Sequence, residues 1–577
     1  MSEPSDEQLA IIRAPLAPMS VVACAGSGKT YTAVQRLARM RRELGDSRGR
    51  IALLSFSNVA VDTFRKEYQE LAGSSVAGTA HHRVDISTLD GFITSNVLHP
   101  HAHRTMGAQQ AAFLVTGGEA FLAGFTFRPD NYPLGIEKMQ VGIDDNGVYF
   151  CYADNNGIRR LNTGQATQLV QRLGRVGAYT HNLGRYWCQR TLVEQPGILR
   201  ALARRYPHIL IDEAQDIGTM HQAIIEQLIR ADCQVSLIGD PNQGIYEFAG
   251  ADGALLSRYG QREGVKPLGL TKNYRSVPLV VDLANRLSAR KDAAERKAPD
   301  TTHGAFFVPY RTSEVGNLVD AFQAAVLAAG LKVERSAVLC RGRDLANKLS
   351  RNEGAPGQGT VKNLACAAIL RDRHQDYLGA FKLVASCIVG LLADPPKGLI
   401  ARITQSTRYP EDRALRRLIW TFTRSSDNGL PAAALIADTQ WHVLLLEKTK
   451  ALLTKITQQH GWAAANNLGN KLAKRGLPHA PLTAAADLAR NGNVPRIRVD
   501  TVHQAKGESL DAVLYLANRS NIDALLAGVD TEAGRIGYVA VTRACNLFWL
   551  GIPRNSLDEL RPALIGLGFL EFVPGAK

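Results

Sequence analysis

One stretch limits what this chain can fold into: Val21-Val22-Ala23-Cys24-Ala25-Gly26-Ser27-Gly28-Lys29-Thr30. Two β-branched residues lead into a run of small ones, and the residues from Thr32 to Arg39 read as a helix. The order is strand, tight loop, helix. Glycines let such a loop approach a polyphosphate, and the backbone N–H groups of Ala25, Gly26, Ser27 and Gly28 then form an anion nest. Lys29 would reach the β- and γ-phosphates and Thr30 would hold Mg²⁺. The strict motif has Gly where Ala23 stands. An ordinary glycine turn would leave Lys29 without a task.

Several later segments repeat one design, an apolar strand with a polar exit, and such exits are where open α/β sheets place ligands. Arg50 to Asn58 ends in Ser55-Phe56-Ser57-Asn58, and Val84 to Phe92 ends in Ser87-Thr88-Leu89-Asp90-Gly91-Phe92. Ile209-Leu210-Ile211 runs into Asp212-Glu213-Ala214-Gln215-Asp216. Buried carboxylates are costly without a cation or hydrogen bonds. Asp212 beside a phosphate loop would complete a Mg²⁺ site, and Glu213 would orient or deprotonate water. Val235 to Gly239 exits into Asp240-Pro241-Asn242-Gln243, where Gln243 is placed to sense a γ-phosphate. Tyr246 and Phe248 follow; they are either core residues or bases' stacking partners. The same two readings apply to Phe56 and Phe92. Gln8 is either the capping-box partner of Ser5 or an amide set before the loop to read an adenine edge.

Between these segments the chain changes character. Residues 96–189 read as an insertion with a hairpin around Gly147–Leu161, and 353–494 as a helical insertion after a loose stretch at Asn352–Gly359. The triplet His99, His101 and His103 has no carboxylate or Cys close by, and Pro100 makes it loop-like, so it is a poor metal site. A formal charge of +15 favours a polyanionic partner, nucleic acid above membrane. Eight scattered cysteines without a Cys-x-x-Cys pair, and an acidic, polar start without a leader pattern, give a cytoplasmic expectation. Leu378–Ala393 is apolar but too short to span a bilayer, and reads as a core helix.

Taken in order, these stretches resemble superfamily 1 helicases of the UvrD, Rep and PcrA type. The matching segments are Asp6-Glu7-Gln8, the phosphate loop, the exits at 55–58, 87–92, 212–216 and 239–243, Asn273-Tyr274-Arg275-Ser276, Val502-His503-Gln504-Ala505-Lys506-Gly507, and Tyr538 to Ala544. The resemblance implies an α/β fold of two RecA-like P-loop NTPase domains with parallel sheets, each carrying an inserted, mainly helical subdomain. It implies a first domain from 1–95 and 190–266, a second from 267–352 and 495–577, and inserts at 96–189 and 353–494. ATP with Mg²⁺ would lie between the domains. Lys29, Asp212, Glu213 and Gln243 match the hydrolytic residues, and Arg275 and Arg543 the arginine fingers. Gln8 and Tyr274 match the adenine contacts. Phe56, Asn58, Thr88, Tyr246, Phe248 and His503 fall where the family touches single-stranded DNA, along which it moves 3′ to 5′.

The chain also departs from that pattern. Cys24 replaces a loop Gly. Tyr31 stands where Arg is frequent, which suggests aromatic stacking on the second face of the base. Asp90 replaces a common His, and a carboxylate there repels phosphate. Phe248 and Ala249 replace Trp and Arg. Glu508 lies one residue before the position expected for a ribose contact, which Ser509 fills. The Thr88–Phe92 segment and the short second insertion are similar to the helicase-like subunit of the Gabija anti-phage system. That likeness implies an OLD/TOPRIM-type nuclease partner and single-stranded or 3′-tailed DNA, with no membrane role. Other readings are an ATP- and DNA-end-sensing subunit that unwinds little, or a stand-alone repair helicase.

Overall fold

The computed structural model describes residues 3–45, 49–73, 83–115, 117, 119–129, 133–154, 157–246, 253–311, 314–349, 357–373, 375–396, 399–404, 410–483 and 497–572. The chain divides into two compact units, Met1–Arg341 with Val502–Lys577, and Gly342–Thr501.

The first unit is built on two parallel sheets. Among the described residues, the first sheet has the strand order Lys266–Leu270, β1 (Met19–Ala23), Gln234–Gly239, His208–Ile211, β2 (Ile51–Ser55), β3 (Val84–Thr88). Helices cover the faces of such a sheet, so its strands read as unbroken apolar runs. Ile51, Ala52, Leu53 and Leu54 are all buried. The register aligns the strand ends: Val22 lies beside Gly239, and Ile211 beside both Leu54 and Leu237. Cys24, Asp240, Asp212 and Phe56 therefore emerge along one edge. Two bonds lock that edge, Asp212 N–H to the Leu54 carbonyl and Cys24 N–H to the Leu270 carbonyl, each 2.8 Å.

The helix α1 (Asp6–Ile12) begins in a full capping box between Ser5 and Gln8. The helix α2 (Lys29–Leu44) starts at the loop and turns Ala33, Val34, Leu37 and Met40 inward. Arg36 is fully buried on α2 and donates to the carbonyls of Ile12 (3.2 Å), Ala14 and Pro15. That guanidinium fixes the exit of α1 against α2, and so sets where Gln8 stands.

The second sheet of this unit contains Ala337–Cys340, Leu510–Leu516, Ala544–Pro553, Gly304–Tyr310 and Leu570–Glu571, in that order and all parallel. The sequence opens a late helix at Gly537. In the structure that helix begins earlier and spans Glu532–Arg543, because Thr531 caps its start by accepting the Gly534 N–H at 3.1 Å. Arg543 is thus its last residue, at the mouth of the strand Ala544–Pro553.

The first insertion follows α4 (Leu89–Ile93). Its strands Gln140–Asp144, Gly147–Asp154 and Gly157–Arg160 pair antiparallel, with the hairpin closing at Asp154 and Gly157. Helices Thr163–Arg175 and His181–Glu194 pack beside them. Pro100 does not lie in a loop. It sits inside a π-helical segment, Thr94–Ala102, anchored by buried Val97, Leu98 and Ala102. The wider turn accommodates a residue that has no N–H for the ordinary ladder.

The second unit is helical, with Gly359–Asp372, Tyr377–Gly390, Arg413–Arg424 and His442–His460 around their own core. The apolar stretch at 378–393 lies mostly in Tyr377–Gly390 and turns Phe381, Val384 and Ile388 inward. Most of the loose stretch before it, residues 351–356, lies outside the described residues. All eight cysteines are buried free thiols. No helix among the described residues is long and apolar enough to cross a membrane.

Candidate functional site

The loop after β1 owes its shape to two left-handed glycines, Gly26 at φ 71° and Gly28 at φ 76°. Ser27 Oγ donates to the Cys24 carbonyl at 2.8 Å, and Lys29 Nζ lies 3.5 Å from the same oxygen. Ala25 is buried. The segment Asn273–Arg275 closes over the loop: Tyr274 N–H donates to the Gly26 carbonyl at 2.9 Å. A Cβ on Gly26 would lie 2.5 Å from Arg275 Cβ and 2.9 Å from Asn273 Oδ1. Gly26→Ala is therefore expected to force the two segments apart at an overpacking cost of about 1–3 kcal/mol. Nucleotide affinity should fall roughly tenfold, measured by titration; unchanged affinity would mean the clasp is not required.

Lys29, Thr30, Glu213, Gln243, Arg275 and Arg543 line one cavity of about 90 Å³, together with the loop glycines and Gly507. Arg275, Gly507 and Arg543 come from the second sheet's side of the unit, the others from the first. Arg543 is completely buried; its Nη2 donates to Gln243 Oε1 at 2.8 Å and its Nη1 to the Glu508 carbonyl at 3.2 Å. Arg275 Nη1 donates to the Thr542 carbonyl at 3.0 Å, and Asn273 Oδ1 holds its backbone N–H at 2.8 Å. Burial, followed by the charge of Arg275, pushes the Arg543 guanidinium down to about 9. Burial lowers Arg275 too. Three cations, Lys29, Arg275 and Arg543, thus converge with Glu213 on one small cavity.

The carboxylates divide. Burial, then the neighbouring Glu213, pushes Asp212 up to about 7. Its Oδ1 is buried with no hydrogen-bond partner. Burial also acts on Glu213, but Lys29, Lys506 and the bond from Gln215 outweigh it and hold that group below its ordinary range. Glu213 has a left-handed backbone, φ 54°, which is uncommon outside glycine. Gln215 fixes it: Nε2 donates to Glu213 Oε2 while Oε1 accepts the Asp240 N–H at 3.0 Å.

An orphaned carboxylate oxygen with a raised pKa fits a bound cation. Among the described residues no group of three His, Cys, Asp or Glu is placed to hold a metal. Mg²⁺ at this edge would thus be held by Thr30, Asp212 and phosphate oxygens. His99, His101 and His103 form no such group either.

A second network joins the sides. Lys506 Nζ donates to both Asp216 oxygens, at 2.7 and 2.6 Å, and to the Gln243 carbonyl at 2.7 Å. It also lies 4.9 Å from the Tyr246 ring centre. Arg535 Nε donates to the Gly244 carbonyl at 2.6 Å. Gln243 Nε2 meanwhile donates to Asp240 Oδ2 at 2.8 Å. The Gln243 segment is thereby held from both sheets at once. Lys506, Asp216, Gln215, Asn273 and Arg535 are functional candidates that the sequence reading did not single out. The first four lie inside the matched segments, and Arg535 lies outside them.

The remaining candidates sit as follows. Gln8 is the capping-box partner of Ser5, its Oε1 accepting the Ser5 N–H, while its Nε2 donates to the Ser27 carbonyl of the loop, each at 3.1 Å. Tyr274 is exposed beside the loop, and Tyr31 is half-buried in the first turn of α2. Phe56 is half-buried and meets His221 edge to face, while Asn58 is exposed. Thr88 caps α4 by accepting the Gly91 N–H at 3.0 Å. Tyr246 meets His503 at 5.7 Å between ring centres, and His503 Nε2 lies 3.2 Å from the Ile245 carbonyl. Phe92 is core, packed on Tyr206. Phe248 and Ala249 lie outside the described residues.

Residues 5–126 and 166–262 match the UvrD/REP helicase N-terminal domain. The likeness is to superfamily 1 helicases. The YjcD protein of Bacillus subtilis is 23% identical over 356 residues, 58% of this chain and 45% of that protein. The ATP-dependent DNA helicase srs2 of Schizosaccharomyces pombe is 24% identical over 349 residues, 54% of this chain and 38% of that one. DNA helicase II of Haemophilus influenzae is 26% identical over 307 residues, 49% of this chain and 40% of that one. The chain thus spans less than half the length of these relatives.

Proposed function

We propose that this chain is an ATP-driven motor on DNA, a 3′–5′ helicase or translocase of the UvrD type. The observation that carries the reading is the shared cavity: Lys29 and Glu213 come from the first sheet's edge, Arg275 and Arg543 from the second sheet's side. A triphosphate in that cavity binds both sides at once, so its differential affinity favours the closed arrangement. Lys29 and the loop N–H groups hold the phosphates, and Glu213 accepts a proton from the attacking water. Gln243, already bonded to Arg543, senses the γ-phosphate. Thr30 and Asp212 would hold Mg²⁺, which would supply charge neutralisation. Loss of the γ-phosphate removes the shared anion, and the sides separate.

Gln8, Tyr31 and Tyr274 are placed on the adenine in this reading. Phe56, Asn58, Thr88, Tyr246, Phe248 and His503 grip the strand, with aromatic faces stacking on bases. Alternate grip on the two sides turns closure into steps. The domain limits given by the resemblance belong to the same proposal. ATP hydrolysis should rise several-fold on adding single-stranded DNA, and a 3′-tailed duplex should be unwound where a 5′-tailed one is not. Hydrolysis indifferent to DNA overturns the motor reading. ATP- and DNA-binding without strand displacement would favour a sensing subunit instead. DNA affinity should also fall steeply with salt, because phosphate contacts release counterions.

The finer reading is service to an OLD/TOPRIM-type nuclease in anti-phage defence. The compact second unit, Gly342–Thr501, supports it, being the short second insertion of that likeness. Co-purification with such a nuclease tests it; a chain that stays alone beside its co-expressed nuclease counts against it.

A further inference from the structure

Asp90 is the departure that the hydrolytic site does not absorb. It stands in the first turn of α4, at the exit of β3, where a bare carboxylate would repel a DNA phosphate. The carboxylate is not bare. Arg185, on the insertion helix His181–Glu194, binds it with both arms of its fork, Nε to Oδ1 at 3.0 Å and Nη2 to Oδ2 at 2.7 Å. His221 Nε2 lies 2.9 Å from Oδ1. Burial alone would raise the Asp90 carboxyl; the His221 and Arg185 bonds outweigh it and hold the group well below the usual carboxylate range.

His221 connects this cluster to two other places. Its helix, Thr219–Arg230, follows directly on the acidic exit Asp212–Asp216. Its imidazole is buried, and Phe56 meets it edge to face, 5.7 Å between centres at 81°. A ring edge held by a charged hydrogen bond is a fixed support for an aromatic neighbour. Arg185, Asp90 and His221 therefore join the first insertion, the β3 exit and the Phe56 exit.

We infer that Arg185, Asp90 and His221 are positioning residues for Phe56: they fix its ring as a stacking platform for a base of the bound strand. The inference rests on the DNA reading above and names what sets the geometry of that contact. Asp90 acts here as an anchor for two donors, with its charge matched by Arg185.

The test compares two oligonucleotides of equal length, one with intact bases and one abasic, by fluorescence anisotropy on the full chain. The wild type binds the intact strand more tightly. Phe56→Ala should lower that affinity on the order of tenfold and leave the abasic affinity alone. His221→Ala and Asp90→Asn should each lower intact-strand affinity several-fold, again sparing the abasic strand. Each should also have little further effect in a Phe56→Ala background. Asp90→Asn is the sharper variant, because simple charge repulsion demands the opposite sign, tighter binding to both strands. A variant that only unfolds the chain loses both affinities, and Asp90→Asn, which keeps the side-chain size, then decides. Loss with Phe56→Ala but not with His221→Ala or Asp90→Asn overturns the inference alone. Equal wild-type affinity for both strands overturns the platform reading and the inference with it.

Discussion

Arg543→Ala should lower ATP turnover by about a thousandfold, or roughly 4 kcal/mol of barrier. The argument begins with charge. Arg543 is fully buried at the end of its helix and shares a cavity with Arg275 and Lys29. Burial and the like charge of Arg275 push its guanidinium down to about 9, so at neutral pH it remains a cation. It keeps that charge in a poor environment because it faces Glu213 and a space shaped for an anion. The charge that develops on a transferring phosphoryl group is what such a group stabilises.

Arg543 also holds Gln243 Oε1, whose own Nε2 is bonded to Asp240. The alanine therefore removes a phosphate contact and frees the sensor. Arg543→Lys should not rescue, since the compact ammonium lacks the planar guanidinium fork that reaches Gln243 and a phosphate together. Steady-state hydrolysis measures the effect, and direct nucleotide titration separates binding from turnover. Turnover within tenfold of wild type would sink the claim that this residue works across the cavity.

The parallel sheets were legible because strands buried on both faces must be continuously apolar. Ile51 to Leu54 and Ile209 to Ile211 announce themselves that way, and their polar exits mark the ligand edge. The insertion hairpin was legible from the Asp154-Asn155-Asn156-Gly157 run between two short strand-like stretches. What the sequence hid is partnership over distance. Lys506 reaches Asp216 across 290 residues, and Arg185 reaches Asp90 across 95. No local spacing encodes either pair. Read alone, Asp90 is a repulsive charge; read with Arg185 and His221 it is the centre of a matched cluster. The Pro100 segment misled for a related reason. Proline signals a break by its missing N–H, but the π-turn removes the need for that bond, and buried Val97 and Leu98 hold it in place. Gln8 caps α1 and also bonds the loop at Ser27, a contact across 19 residues that local spacing does not encode.

Glu213→Gln should leave ATP bound and stop its hydrolysis. The substitution keeps shape and removes one charge, so its effect isolates the role of that charge. Glu213 and Asp212 are adjacent, buried and coupled, and their surroundings drive them apart: Asp212 upward to about 7, Glu213 below its ordinary range. Adjacent carboxyls separated in this way have separate tasks. On the proposed reading the anionic one, held by Lys29, Lys506 and Gln215, serves as the base, and the raised one, with its Oδ1 unpartnered, as the ligand for a cation. Neutralising Glu213 removes the base, for an expected loss on the order of 10²–10⁴ in turnover. It also removes the like charge that raises Asp212, so cation and nucleotide affinity should hold or tighten. Lys29 and both arginines would then face a triphosphate with one fewer competing anion beside them. The protein should accumulate closed and ATP-bound, seen as retained radiolabelled ATP after gel filtration. Hydrolysis at near wild-type rate would assign the base elsewhere. Loss of ATP binding would mean that Glu213 holds the cavity together and does no chemistry in it.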